Sequence, residues 1–561
     1  MVDQLTPIHA IQGAGLLSAF ARTAVRTRGV VTGHSRKGYF IQDPAGSKDP
    51  YCSDGIFVYS PRRKAPVGVL LEVTGEVADF TRGDNGRPTT QIKEAAVHVL
   101  SEDGPLIEPH WMTAQGLPDD PTLLSRTLNG LEGMLVGIAA GATFAAPSNP
   151  FGDYVCLLPG TGGITGSHGG VLVDPDNPGR WLPGFRILDH RRAPRLNVGA
   201  RLLTSVVGPL AYRSGAFQIV ARAGMKVSDS SVVQGRASFG PAPERTSILT
   251  LNGFNLDVRL EDPRKVSDPD RDVDDDRGDG RFVLLAKAIV EHAGGPDIVA
   301  LQEVQDNDGA ELSATVDASA TWRQLIEDVR RLGGPAYRWA DVPPEPDADG
   351  GQPGGNIRNG FLYNPARVEL RRKTLRRIGA QEPAFAGSRK PLLARFTVLA
   401  SGAELVVVNV HLASKRHQHS VFAPQDPGHD PQEATRVRQA ELIREALGDV
   451  RADGQDFYVT GDFNDFEFSP TLAALCGDDC VNLVQTLPHE ERFDYNHRGQ
   501  LQVLMHGVVS AAAHRAGAVE YTILHGNELC GVQPGTLSGK ATDHAYVLAR
   551  IEVGAAGRSA P

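Results

Sequence analysis

The change in hydrophobic pattern at residues 235–246, a proline- and glycine-bearing segment, constrains the fold of this chain most. Before it, short stretches alternate apolar and polar residues and are separated by glycine and aspartate, which is typical of half-buried strands. After it, buried β runs alternate with longer helical patterns. The sequence therefore predicts a multidomain protein, with an all-β N-terminal region followed by an α/β region.

The length of 561 residues corresponds to roughly three or four domains of about 150 residues each. Several short strands are predicted within residues 29–80, which favours a small closed or sandwich β domain. We expect this first domain to span residues 1–98, a second β-rich domain to span 99–240, and the α/β domain to span 245–553.

The α/β region shows two kinds of apolar pattern. Short continuous apolar runs predict strands, and apolar residues at i, i+3 and i+4 predict helices. The predicted strands lie at 248–256, 297–304, 359–364, 404–412, 456–463 and 544–551, and the predicted helices at 281–293, 321–332 and 433–450.

The net charge of −10 excludes a global positive field that would attract nucleic acid. A polyanion site would then need a local basic patch or metal ions. The segments 367–377 and 388–395 are rich in arginine, and they either follow a nucleic-acid backbone or form a solvated face. The acidic segment 261–280 lacks the regular ligand spacing of a calcium loop, so we expect a solvated loop there.

No apolar run approaches the length of a membrane span, and the start of the chain lacks the pattern of a signal peptide. As it stands, the chain is therefore predicted to be cytoplasmic. Five cysteines are few for this length, which excludes a disulfide-dense scaffold. Cys476 and Cys480 are either a local disulfide or two free thiols, and the sequence leaves the oligomeric state open.

Polar residues follow the apolar strands of the second half at the points where these strands end. Since strand ends converge on one rim of a layered α/β fold, we expect these side chains to build a site. They are Asn252, Glu303, His411, Asp462, Asn464, Asp543 and His544.

The residue types in this set fit phosphate-ester hydrolysis. Amide and carboxylate oxygens without thiolates suit a hard cation such as Mg²⁺. Such an ion neutralises the charge that develops on phosphoryl oxygens. A histidine that titrates near neutral pH suits the activation of water.

Five segments of the second half form a recognisable set: LTLNGFN (249–255), DIVALQEV (297–304), VNVHLASK (408–415), TGDFND (460–465) and ATDH (541–544). Through them the chain resembles the endonuclease/exonuclease/phosphatase superfamily, which includes DNase I-like nucleases. The resemblance covers about 245–553 and implies a four-layer α/β sandwich.

Four segments of the first half are IHAIQGAG (8–15), GYFIQDP (38–44), SDGIFVY (53–59) and LEGMLV (131–136). Through them the first half is similar to the β-rich, OB-like N-terminal region of large bacterial extracellular nucleases. Secretion is implied if the N-terminus is incomplete.

The resemblance also implies roles for the strand-end residues. Asn252 and Glu303 would hold the catalytic Mg²⁺, with Mn²⁺ or Ca²⁺ as alternatives, and Asp543 would be a further ligand or contact a metal-bound water. His544 would contact the scissile phosphate or act as the base, and His411 would assist the leaving group.

Three further positions complete the implied site. Asp462 and Asn464 would position the attacking water and stabilise the transition state. Arg358 would grip a phosphate, since a guanidinium fork matches phosphate geometry.

The sequence departs from the family at Met505, where relatives place an aspartate that orients the histidine matching His544. The loss of such an orienting carboxylate costs about 10⁴ in kcat in the serine-protease triad. Asp494 is a candidate substitute, and a slip in the alignment of this segment is the other explanation.

These observations favour a Mg²⁺-dependent, endonucleolytic phosphodiesterase acting on DNA or RNA, with DNA as the first choice. Two alternatives stay open. The first is a phosphatase or phosphodiesterase for small or lipid phosphate esters. The second is a nucleic-acid-binding protein whose catalysis is impaired at Met505.

Overall fold

The N-terminal part of the computed structural model is a closed barrel. The structure describes residues 4–554 except 63–64, 83–85, 164, 177–179 and 537–539. Five strands close the barrel in the order β1-β2-β3-β5-β4, and β3 and β5 pair in parallel. Apolar side chains of these strands and of a short helix, α1, fill its interior. The elements are α1 Ile8–Gln12, β1 Ala24–Ser35, β2 Gly38–Gln42, β3 Gly55–Tyr59, β4 Leu70–Phe80 and β5 Thr89–Ser101.

The middle part of the chain forms a seven-stranded sheet in the order β6-β7-β12-β13-β11-β9-β8. Buried aromatic rings, among them Phe144, Tyr154 and Phe185, form its core. Its elements are β6 His110–Trp111, α2 Pro121–Asn129, β7 Leu135–Ile138, β8 Thr143–Phe144, β9 Asp153–Leu157, β10 Val171–Leu172, β11 Gly184–Arg186, β12 Val206–Arg213 and β13 Ala216–Val220. Strand β10 belongs to a separate sheet described below.

The C-terminal part contains two large sheets. Their strands are β14 Thr246–Leu256, β15 Ile298–Val304, β16 Arg338–Asp341, β17 Arg358–Tyr363, β18 Val368–Leu370, β19 Arg376–Arg377, β20 Leu392–Val398, β21 Glu404–His411, β22 Asp456–Asp462, β23 Cys480–Asn482, β26 Met505–Ser510, β27 Val519–Leu524 and β28 Tyr546–Ile551. Two further strands, β24 Tyr495–His497 and β25 Gln500–Gln502, belong to a smaller sheet. The helices are α3 Pro269–Asp272, α4 Arg281–Lys287, α5 Ser319–Arg331, α6 Glu433–Ala446, α7 Gly448–Ala452, α8 Pro470–Cys476 and α9 Ala511–Arg515.

These two sheets pack face to face and carry helices on their outer sides. One has the order β16-β17-β15-β14-β28-β27, and the other has the order β18-β20-β21-β22-β26-β23, with β19 on β20. Apolar residues of both, such as Phe361 and Phe396, meet between them. Helices α4 and α5 cover the first sheet, and α6 and α8 cover the second. The result is a four-layer α/β sandwich.

The middle and C-terminal parts share structure at their junction. Strand β10 pairs in parallel with β25, which pairs with β24 in a three-stranded sheet. Phe422 of the C-terminal part is buried in the core of the middle part, where it packs on Trp181 and Phe217. The two parts are therefore fixed against each other at this junction.

The six strands predicted in the second half are all present, as are the predicted helices. The helix expected at 281–293 ends in a π-helical turn at Ala288–His292, and the one at 433–450 is interrupted after Ala446. Cys476 and Cys480 are free thiols. Among the described residues, no helix is long and apolar enough to cross a membrane. The division of the chain into three domains stays a prediction.

Eleven of the twenty residues of the acidic segment 261–280 are exposed, as expected of a solvated loop, but the others are buried or half-buried. Asp257, Glu261 and Asp274 converge, with one oxygen of each within 4.8 Å of the others. Glu261 and Asp276 are buried. The loop folds inward because Arg281 is also buried and pairs with Asp276.

Candidate active site

The strand-end side chains predicted from the sequence gather at one rim of the sandwich. Asn252 donates from Nδ2 to Glu303 Oε1 at 3.1 Å and lies 3.4 Å from Asp462 Oδ2. His411 Nε2 lies 3.6 Å from Glu303 Oε1 and 3.7 Å from Asp462 Oδ2. His544 Nε2 is 3.7 Å from the same Asp462 oxygen. Four different strands thus supply one compact centre.

An irregular backbone aims Glu303 into the centre. Its φ of +54° is left-handed, and the pairing of β15 with β17 shifts register between Leu301 and Val304. Such bulges reorient side chains next to functional sites. Glu303 Oε2 accepts from the Asn255 amide at 3.0 Å. Burial, followed by the charge of Asp543, raises the pKa of Glu303.

Asp462 is the last residue of β22, and Asn464 follows in a left-handed turn with φ +52°. The Asn464 amide donates to Asp462 Oδ1 at 2.8 Å, and both side chains line the same cavity. Burial raises the pKa of Asp462 to about 6, against the opposing effect of the His544 charge. Asp462 is thereby fixed at the cavity wall, with Oδ1 bonded to the Asn464 amide and Oδ2 lying among Asn252, His411 and His544.

His411 is held in its neutral form. Burial, followed by the charges of Arg389 and His544, lowers its pKa well below the usual value. Its Nδ1 is buried without a hydrogen-bond partner among the described residues. A neutral imidazole whose Nε2 faces Glu303 and Asp462 can accept or donate one proton there.

His544 is oriented by Asp494. His544 Nδ1 lies 3.1 Å from Asp494 Oδ1, and Asp494 Oδ2 accepts from the Leu504 and Met505 amides at 2.9 and 2.6 Å. Burial would lower the pKa of His544, but Asp543, Asp494 and Asp462 together raise it to about 10.

Asp494 therefore occupies the role that the sequence left open at Met505. The Met505 side chain is fully buried in an apolar cluster. A carboxylate therefore lies beside His544, although it does not come from position 505.

The donor set fits a divalent metal ion. Ligand atoms of Glu303, His411 and Asp462 lie within 4.8 Å of one another. Asp543 lies at the edge of the group, with its Oδ1 3.9 Å from His544 Nε2. Asn252 turns its amide nitrogen toward the carboxylates, and its Oδ1 accepts from the Phe254 amide. As it lies here, Asn252 orients Glu303, so the carboxylates of Glu303 and Asp543, rather than the Asn252 oxygen, are the groups that would ligate the ion.

Arg358 is not brought to this centre. It is 2% exposed, and its guanidinium donates to the carbonyls of Val316 and Asn356 and lies 3.5 Å from Asp341. Arg389 is the buried arginine beside the site, where it donates to the Leu412 carbonyl at 2.7 Å. The sequence reasoning included Arg389 only within the basic segment 388–395, because it precedes a strand and does not follow one.

A cavity of about 570 Å³ opens on the centre. The middle part forms one of its walls, through Trp181 and residues 214–218, which comprise the turn between β12 and β13 and the start of β13. Tyr495 packs on the His544 ring at 4.9 Å on the other side. Neither the wall nor Tyr495 was predicted, because both reach the site through contacts between distant segments.

The fold and site define a layered α/β protein with a carboxylate–histidine centre. A model of the endonuclease/exonuclease/phosphatase family matches residues 254–500, which lie in the C-terminal part of the chain. The sequence-based resemblance is thus confirmed for this part. Residues 128–230 match a domain of unknown function (DUF8508). No curated protein matches the chain.

Several solved structures are similar to the chain over about half its length. An endonuclease/exonuclease/phosphatase from Bacteroides vulgatus is 16% identical, covers 55% of this chain and 99% of its own, and has a TM-score of 0.35. Truncated TDP2 of Caenorhabditis elegans is 15% identical over 55% and 97%, with a TM-score of 0.35. A mannosyl-6-phosphatase from Bacteroides thetaiotaomicron is 14% identical over 54% and 98%, with a TM-score of 0.35.

Proposed function

We propose that the protein is a metal-dependent phosphodiesterase that cleaves nucleic acid within the strand, with DNA as the first substrate and RNA as the alternative. The observation that carries the proposal is the cavity lined by Glu303, Asp462, Asp543 and His544, in which the His544 ring is paired with the buried Asp494. This set provides an oriented cation, a carboxylate for water and carboxylate oxygens for a metal ion, as phosphoester hydrolysis requires.

Each group has a task in this proposal. Glu303 and Asp543 would hold Mg²⁺, or Mn²⁺ or Ca²⁺ in its place, and the bound ion would supply positive charge for the phosphoryl oxygens. Asp462 and Asn464 orient the attacking water. The imidazolium of His544 donates to the scissile phosphate, and Asp494 fixes the orientation of its ring. His411, held neutral, takes part in proton transfer to the leaving group.

The N-terminal barrel supports nucleic acid as the substrate. Its strand order and its parallel β3–β5 pair fit an OB-like barrel, a fold that binds oligonucleotides and oligosaccharides. We infer a binding role for this barrel from this likeness.

Cleavage of circular DNA tests the proposal. Supercoiled plasmid and circular single-stranded DNA have no ends, so any product reports internal cleavage. We expect cleavage with Mg²⁺, none with EDTA, and at least a 100-fold loss in His544→Ala. The matched control is His514→Ala, at an exposed histidine on α9. Cleavage that survives in His544→Ala would remove this residue from the mechanism.

A phosphatase for small phosphate esters is the second candidate. The observation that favours it is the cavity, since about 570 Å³ is the size of a small-molecule pocket and the middle part walls it on one side. Hydrolysis of mononucleotides or sugar phosphates without cleavage of circular DNA or RNA would select this alternative.

A further inference from the structure

The cavity at the catalytic centre contains basic side chains in addition to its carboxylates. Apart from Glu303, Asp462 and Asp543, no carboxylate of the described residues lines it, whereas three long basic side chains do. These are Lys415, Arg416 and Arg498. In a chain with a net charge of −10, the part of the cavity outside the centre is therefore suited to an anion.

The three basic side chains differ in whether the protein neutralises them. Lys415 Nζ lies 2.8 Å from Asp465 Oδ1 and 3.0 Å from Asp430 Oδ2, so its charge is compensated. Arg416 is exposed and makes no ion pair with the residues that the structure describes. Arg498 is also exposed, and its guanidinium donates to a backbone carbonyl at 3.0 Å. Two arginines thus line the cavity with no carboxylate partner among the described residues.

The segments that carry these two arginines are fixed to the same turn, the one between β12 and β13. Arg498 donates to the Ser214 carbonyl of this turn. Ser420, four residues after Arg416, donates to the next carbonyl, that of Gly215. Ser214 and Gly215 themselves line the cavity. Both arginines therefore belong to one wall region, around a turn that is held by hydrogen bonds from two separate segments.

A second cavity, of about 210 Å³, adjoins the first and has a different charge. Tyr495, Arg498 and Asp543 line both cavities. The second cavity also contains Lys540 and Arg281, but Arg281 is paired with an aspartate. Six acidic side chains of the described residues line it: Asp153, Asp274, Asp276, Asp279, Glu528 and Asp543. An anionic group is thus favoured in the first cavity and disfavoured in the second.

We propose that Arg416 and Arg498 bind a second phosphate group of the substrate while the reacting phosphate lies at the catalytic centre. This inference rests on the proposed function and adds that the substrate carries two phosphates. A guanidinium group binds phosphate through charge-assisted, paired hydrogen bonds. The neighbouring phosphate of a nucleic-acid strand and the second phosphate of a small bisphosphate ester both supply this chemistry.

Binding of ligands that carry one or two phosphates tests the inference. Isothermal titration uses the full chain with Mg²⁺ on the Asp462→Asn background, which slows hydrolysis of the ligands. One arm compares thymidine 3′,5′-bisphosphate with the two thymidine monophosphates, and the other compares glucose 1,6-bisphosphate with glucose 6-phosphate. The test variants are Arg416→Gln and Arg498→Gln, made singly. The charge-matched control is Arg372→Gln, at an exposed arginine that does not line the cavity.

We expect at least one bisphosphate to bind about tenfold more tightly than its monophosphates, as one charge-assisted contact provides. Each test variant should lose most of this advantage, and Arg372→Gln should keep it. The arm that shows the advantage identifies the source of the second phosphate. Equal binding of mono- and bisphosphates in both arms, an advantage that either test variant keeps, or an equal loss in the control would each overturn the inference.

Lys540→Gln tests in which cavity the second phosphate lies. Lys540 lines the second cavity and not the first, so this variant should bind the bisphosphate as the unsubstituted chain does. A loss as large as that of the test variants would place the phosphate in the second cavity and overturn the inference. Melting temperatures are measured beside the titrations, because Arg498 also holds the β12–β13 turn. Arg416→Gln, at an exposed residue, provides the test without this structural contact.

A further measurement separates this inference from the proposed function. Bis(p-nitrophenyl) phosphate has a single phosphate, so its hydrolysis by wild type with Mg²⁺ reports the catalytic centre alone. Hydrolysis of this ester without preferred binding of a bisphosphate would overturn the inference and leave the phosphodiesterase chemistry standing. Arginine-dependent binding of a bisphosphate by a protein that hydrolyses no phosphate ester would support the inference and overturn the catalytic proposal.

Discussion

The C-terminal part contains two clusters of buried and half-buried carboxylates, and they differ in how their charge is compensated. The cavity cluster, Glu303, Asp462, Asp494 and Asp543, contains His411 and His544 and lies beside Arg389. The acidic cluster, Asp257, Glu261, Asp274 and Asp276, contains no histidine, and Arg281 is its cationic partner within the described residues.

The difference in compensation decides which group stays ionised. In the cavity cluster the pKa of Asp462 rises only to about 6, because the charge of His544 opposes burial. In the acidic cluster, burial and then the charges of Glu261 and Asp276 raise the pKa of Asp257 to about 10. Buried carboxylates remain charged, and available for chemistry, where cations lie among them.

Asp462→Asn should have the largest effect on catalysis by the cavity cluster. It removes the carboxylate between the two histidines, so the rate of phosphodiester cleavage should fall by about 10³–10⁴-fold. The fold should persist, because an amide replaces a buried charge at the same size. The measurements are kcat on a chromogenic phosphodiester and the melting temperature, with the exposed Asp453→Asn as control. A rate within tenfold of wild type would exclude Asp462 from the chemistry.

Asp494→Asn should reduce kcat by about 10²–10³-fold, because the His544 ring loses its orienting carboxylate. KM should change little, since Asp494 is fully buried and does not line the cavity. The split between kcat and KM is the readout. A variant that raises KM alone would show that Asp494 acts on substrate binding.

Met505→Asp tests whether a carboxylate at position 505 can orient His544 when Asp494 already lies beside it. If the protein lacked an orienting carboxylate, this substitution would raise the rate. Because Asp494 already fills the role, the new carboxylate would be buried among apolar residues such as Val503 and Val547. We expect it to lower the free energy of unfolding by about 3 kcal/mol. Denaturant unfolding beside Met505→Leu measures this, and a faster, equally stable variant would contradict it.

The site was predictable from the sequence where function and strand pattern coincide. Glu303, His411 and Asp462 lie at the ends of apolar runs, and the fold brings such ends to one rim. Asp494 lies before the short strand β24, in a segment without strong periodicity, so no pattern ties it to His544. Its place depends on two backbone amides from residues 504 and 505, which only the folded chain supplies.

The other features of the site were not predicted correctly because they depend on packing between segments that are distant in the sequence. Arg358 was predicted to bind a phosphate, but its guanidinium donates to the carbonyls of Val316 and Asn356 instead. The cavity wall formed by the middle part depends on the insertion of Phe422 into another core, and no local pattern indicates such an insertion. The buried residues of the acidic segment were not predicted, because their partner Arg281 follows the segment in a pattern that predicts only a helix.

Asp257→Asn should have the smallest effect. We expect it to raise the free energy of unfolding, whereas Met505→Asp should lower it. The folded pKa of Asp257, about 10, lies above the unfolded value of about 3.9. Its stabilising contribution is therefore complete below pH 4 and is lost progressively as pH rises through 10. The neutral amide removes this dependence, so the variant should gain about 1–2 kcal/mol over wild type at pH 8 and much less at pH 5.

Denaturant unfolding in EDTA at the two pH values measures this gain, with Asp279→Asn, at an exposed aspartate of the same loop, as the matched control. Cleavage by Asp257→Asn should match that of wild type, because Asp257 does not line the cavity. A variant that is less stable than wild type at pH 8 would show that the carboxylate of Asp257 is compensated after all. The contrast between the two clusters would then not lie in their counter-charges.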